Sequence, residues 1–73
     1  MAQEIVEVPI TGKVTNVEVK VGDTVKEGDV ICYIESMKME NPILAPVGGT
    51  IKELQVSAGQ TVETGNTIAV IES

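Results

Sequence analysis

The sequence predicts an all-β domain, a small sandwich or barrel closed from two similar halves. Three observations lead there. Short runs rich in Val, Ile and Thr alternate with polar turns that contain glycine. Sliding the chain by 37 positions, so that Pro9 falls on Pro46, lays residues 9–36 on 46–73 without a gap. Two such copies are too few for a solenoid, which needs at least three to cover its stacking faces, so the halves must close on each other.

The repeat is close in its apolar and turn residues. Identical pairs include Gly12/Gly49, Val19/Val56, Gly22/Gly59, Val25/Val62, Gly28/Gly65, Ile31/Ile68 and Ile34/Ile71, with Val14/Ile51 and Val17/Leu54 as conservative partners. Residues 14–19 and 51–56 read as strands, because β-branched residues dominate and glycines break the runs early. A short amphipathic helix is the competing local reading, since Val14 and Val17 are three apart. Turns follow at Gly22-Asp23 and Gly59-Gln60, then at Gly28-Asp29 and Gly65-Asn66. Residues 30–34 and 67–71 form the next strands. Their matched isoleucines are also three apart, which calls for burial on both faces or a bulge.

Composition narrows the function. The 73 residues read as one domain (1–73), and domains of this size bury only about 60% of their unfolded surface. An enclosed active site does not fit, and the domain is expected to be a monomer in isolation. Net charge is −6 with no arginine, so no basic patch exists for nucleic acid or anionic membranes. The acidity serves solubility or the steering of a partner. No apolar run approaches the roughly 20 residues of a membrane span. The start carries no signal-peptide pattern and the single Cys32 has no partner, so the expected location is cytoplasmic. Cys32 falls on Ala69 in the repeat and reads as a small buried apolar residue. With no histidine and one cysteine, neither metal ligation nor acid–base catalysis is expected. The carboxylates Asp23, Glu27, Asp29, Glu35 and Glu40 read as solvated surface.

The repeats leave residues 37–45 between them, beginning Met37-Lys38-Met39-Glu40-Asn41. If one strand ends near Ser36 and another begins near Asn41, Met37, Lys38 and Met39 occupy a hairpin tip. Methionine on both sides of a turn lysine is unusual, because such turns favour Gly, Asn, Asp or Pro. The methionines either fold back as core filler or are read by a partner.

The run Glu35-Ser36-Met37-Lys38-Met39-Glu40 resembles the biotinylation motif of biotin carboxyl carrier proteins. The resemblance covers nearly the whole chain, since the paired Gly-Asp-Thr-Val and Gly-Gln-Thr-Val turns and the central lysine are similar to the biotinyl/lipoyl attachment domain. It implies a flattened barrel of two four-stranded antiparallel sheets related by a pseudo-two-fold axis. It also implies a hairpin opposite the termini and no "thumb" insertion. Lys38 would carry covalent biotin, attached by a biotin protein ligase that reads Met37, Met39, Glu35 and Glu40. The biotin would then carry a carboxyl group between a biotin carboxylase and a carboxyltransferase. Acetyl-CoA, propionyl-CoA, methylmalonyl-CoA, pyruvate and oxaloacetate systems are all compatible parents, the first serving fatty acid biosynthesis. A lipoyl or dual-specificity carrier and an unmodified β module are the alternatives. Lipoyl domains usually place Asp before the lysine, and Met37 and Met39 argue for biotin.

Overall fold

The computed structural model describes residues 2–73 and contains eight strands. They are β1 (Gln3–Glu7), β2 (Gly12–Val17), β3 (Thr24–Val25), β4 (Val30–Ser36), β5 (Met39–Leu44), β6 (Gly49–Leu54), β7 (Thr61–Val62) and β8 (Thr67–Glu72). One antiparallel sheet has the order β1-β8-β6-β3 and the other β5-β4-β2-β7. An offset of 37 residues relates β1 to β5, β2 to β6, β3 to β7 and β4 to β8, and swapping these partners turns one sheet order into the other, so the expected pseudo-two-fold flattened barrel is present. No insertion separates matching elements.

The structural repeat is longer than the sequence repeat. β5 is the counterpart of β1, so residues 39–45 belong to the second half and only Met37 and Lys38 lie outside. The correspondence is faint in sequence because β1 and β5 are edge strands. Only Val6/Ile43 and the adjoining Val8/Ala45 point into the core there. Pro42 is tolerated because an edge strand has a side that needs no ladder donor.

Bulges account for the three-residue spacings. Thr15 in β2 and Lys52 in β6 are extra residues in otherwise regular ladders, as are Ile31 in β4 and Ile68 in β8. The bulge turns Ile31 and Cys32 both inward, where a regular strand would expose one of them. The strands β2 and β6 begin and end two residues earlier than the β-branched runs 14–19 and 51–56 suggest.

Four matching turns close the ends. In residues 20–23, 26–29, 57–60 and 63–66, the fourth N–H donates to the first carbonyl at 3.0–3.1 Å. The fourth side chain, from Asp23, Asp29, Gln60 or Asn66, accepts from the first N–H at 2.9–3.0 Å. The third residue is glycine each time, at φ of 91–97°, a region that side chains resist. Asp23 and Asp29 are thereby turn caps.

The core is aliphatic and symmetric. Ile31/Ile68, Ile34/Ile71, Val14/Ile51 and Val25/Val62 meet between the sheets, and no polar side chain is buried among the described residues. The paired glycines Gly12 and Gly49 permit close strand approach. A methyl on Gly12 would run into the Glu35 carbonyl and lie 2.8 Å from Ile34 Cγ2. Gly12→Ala is therefore expected to cost about 1–3 kcal/mol despite alanine's smaller loss of chain entropy. A thermal melt checks this, and an unchanged or raised Tm would show that the strands can part cheaply.

Cys32 is fully buried beside these residues, as its pairing with Ala69 predicts. Burial pushes its thiol from 9.0 to about 11. The folded state thus binds this proton more tightly than the unfolded chain. The stability it contributes is intact below pH 9.0 and is lost as pH rises toward about 11. Wild type should lose stability relative to Cys32→Ala across that window in denaturant titrations, and parallel pH profiles would contradict the assignment.

Candidate functional site

The feature that breaks the repeat is the β4–β5 hairpin. Its strands pair Ile34 with Asn41, Glu35 with Glu40 and Ser36 with Met39, leaving Met37-Lys38 as a two-residue turn. Both turn residues have left-handed backbones, φ 53° for Met37 and 66° for Lys38. Positive φ at both central residues is what a type I′ hairpin turn requires, a turn whose handedness matches the twist of the strands but favours Asn-Gly. Each non-glycine residue in that region costs on the order of 1–2 kcal/mol. The Met-Lys turn thus runs against backbone preference, in a fold that uses glycine at its four other matched turns. Met37→Asn, which suits the left-handed region, should raise stability by about 1 kcal/mol, or several degrees in Tm. Calorimetry tests this, and a lowered Tm would mean that the methionine side chain stabilises the turn.

The methionines are not core filler. Met37 is 88% exposed and Met39 66%, and Met39 lies in β5 rather than in the turn itself. Lys38 is exposed at the apex and takes part in no salt bridge among the described residues, where the ion pair is Lys52–Glu72 at 3.7 Å. Its side chain therefore faces solvent without a charged partner among the described residues.

Glu35 and Glu40 stand opposite each other, a like-charge pairing that costs stability in isolation. Lys13 lies opposite Glu35 on the other side, in β2. Glu40 Oε2 accepts a hydrogen bond from Thr15 Oγ1 at 2.7 Å, so the bulge residue of β2 reaches past β4 to β5. Asn41 Nδ2 donates to the carbonyls of Ile34 and Met39, both at 3.3 Å. Thr15 and Asn41 escaped the sequence reading, because their reach depends on strand register.

The tip and the termini occupy equivalent positions in the two halves. Ser73 N donates to Ala2 O at 2.9 Å, matching the Ser36–Met39 pair. Thr11 and Thr64 meet at 3.3 Å beside the start of β2, at the hairpin end, and β8 runs from there toward Ser73. The termini thus lie at the end of the barrel away from Lys38. The grooves lined by Val56, Val62 and Val70 and by Ile5, Pro42 and Leu44 do not include the tip. No group of three metal-ligating side chains occurs among the described residues. Among the described residues no helix is long and apolar enough to cross a membrane. What this site offers chemically is a solvent-facing primary amine at the apex of a two-residue turn.

Comparison with known proteins decides the family. The family model described as "Biotin-requiring enzyme" matches residues 4–71. The chain belongs to this family.

Its cofactor is accordingly biotin, and the domain is a carrier of the kind found in biotin-dependent carboxylases and decarboxylases. Over 39 residues it is 49% identical to the glutaconyl-CoA decarboxylase subunit gamma of Acidaminococcus fermentans, covering 53% of this chain and 27% of that protein. Over 37 residues it is 54% identical to the mitochondrial propionyl-CoA carboxylase alpha chain of Homo sapiens, covering 51% of this chain and 5% of that one. Among solved structures, the urea carboxylase of Kluyveromyces lactis aligns at a TM-score of 0.90 and 32% identity, over 99% of this chain and 6% of that chain. The chain therefore spans a small part of the length of the relatives it matches.

The tip suits a covalently tethered group. An amide to Lys38 would need no buried pocket, would desolvate no charged partner, and would leave the arm in solvent at the barrel's end.

Proposed function

We propose that Lys38 is the biotin acceptor and that the domain carries a carboxyl group between a biotin carboxylase and a carboxyltransferase acting on acyl-CoA substrates. The observation that carries this reading is an exposed lysine held at a strained two-residue apex, between two exposed methionines. Attached biotin supplies a ureido nitrogen that can hold a carboxyl group.

The chain's own contribution is presentation. A rigid barrel with a flexible lysine arm keeps the group at high effective concentration near successive active sites, without tight docking. The reading is that of a non-catalytic carrier, acting as a monomer in the cytoplasm, where Cys32 stays reduced. The acyl-CoA class is supported by the propionyl-CoA and glutaconyl-CoA enzymes among the similar proteins. A biotin protein ligase would read Met37 and Met39 as apolar contacts, with Glu35 and Glu40 as charged ones.

Parallel incubations with a biotin ligase plus biotin and a lipoate ligase plus lipoate test the cofactor choice by intact mass. One biotinyl increment and no lipoyl increment is the expected result. Lipoylation at a comparable rate would overturn it.

A further inference from the structure

The Met37-Lys38 turn poses a physical problem that its own residues do not solve. Two consecutive non-glycine residues in the left-handed region persist only where the surroundings over-determine them. On β4 the paired strand is anchored in the core by Ile34, which is fully buried. On β5 the residues nearest the turn, Met39 and Glu40, are exposed, and β5 is an edge strand with a partner on one side only. The β5 flank is where the turn can loosen.

Asn41 is placed to prevent this. It is half-buried directly opposite Ile34, and its side-chain amide donates to the Ile34 carbonyl across the ladder and to the Met39 carbonyl beside the turn. A carbonyl has two lone pairs, so both oxygens can accept this amide in addition to ladder bonds. The one side chain thus ties the first residue after the turn to the core-anchored strand. Its counterpart in the other half is Glu4, which is exposed and flanks the open termini, where no turn has to be held.

We propose that Asn41 is a positioning residue for Lys38, holding the strained turn in the single conformation that a modifying enzyme reads. This rests on Lys38 being the modified residue. Loss of the two donated bonds lets the apex sample other backbone states. The competent fraction falls, and the apparent affinity of the ligase falls with it, while chemistry in the bound complex is untouched.

Asn41→Asp, which keeps size but turns a donor into an acceptor facing two carbonyl oxygens, and Asn41→Ala are the variants. Unchanged amide signals of Ile51 and Ile71 would establish that each is folded; where Asp disrupts the fold, Ala carries the test. Amide order parameters at Met37 and Lys38 should drop from about 0.85 to below about 0.6. The KM of the chain as ligase substrate should rise about five- to tenfold at constant kcat, the effect of a hydrogen bond's loss. A lower Tm with unchanged tip order parameters and unchanged KM would reduce Asn41 to a structural role and overturn the proposal. A fall in kcat alone would overturn it too. If the wild-type chain takes no biotin, the acceptor assignment fails, and the order parameters still decide whether Asn41 holds the turn.

Discussion

Replacing Lys38 with arginine should leave the fold intact and abolish biotin incorporation altogether. The side chain is exposed and unpaired, so its removal takes away no packing and no ion pair. Arginine preserves the positive charge, yet its guanidinium stays protonated and is a poor nucleophile toward an activated carboxyl group. A stability change within about 0.5 kcal/mol, as for other surface substitutions, should accompany complete loss of modification. Lys38→Gly should go further and raise Tm, since glycine relieves a left-handed position, while being equally unable to accept biotin. Intact mass and a thermal melt on the same samples separate the two effects. Residual biotin on Lys38→Arg would place the acceptor elsewhere.

The largest loss of stability should come from Ile34→Ala. Ile34 is fully buried, faces Gly12, and pairs with Asn41 beneath the hairpin. Truncating a buried isoleucine costs about 2–5 kcal/mol. A chain of this length has a total stability of roughly 4–11 kcal/mol. The substitution therefore removes a large part of it, and at about 4–8 °C per kcal/mol Tm should fall by about 8–40 °C. Ile5→Ala is the control: Ile5 is 57% exposed, and its truncation should move Tm by a few degrees at most. Equal effects at the two positions would mean that the barrel interior is not the source of stability.

How much of this was legible in the sequence follows from where each residue sits. The two-fold relation was visible because the identical residues, such as Ile31/Ile68 and Val25/Val62, are core positions or turn glycines, where geometry restricts the choice. The edge strands β1 and β5 were not visible as repeats, since most of their side chains meet solvent and are free to differ. The three-residue spacings signalled irregular strands, and the bulges at Thr15, Ile31, Lys52 and Ile68 are their cause. The apex was legible as a break in the repeat carrying Lys38. Its backbone strain was not, because Met-Lys carries no mark of a left-handed turn. The bonds from Thr15 and Asn41 were also hidden, as they join residues that meet only once register is set.

The central claim is that one amine, at one apex, receives the cofactor. Peptide mapping by tandem mass spectrometry of the wild-type chain, after exposure to a biotin protein ligase, examines Lys13, Lys20, Lys26, Lys38 and Lys52 together. Biotin is expected on Lys38 and on no other lysine. Biotin distributed over several lysines, or absent from Lys38, would contradict it.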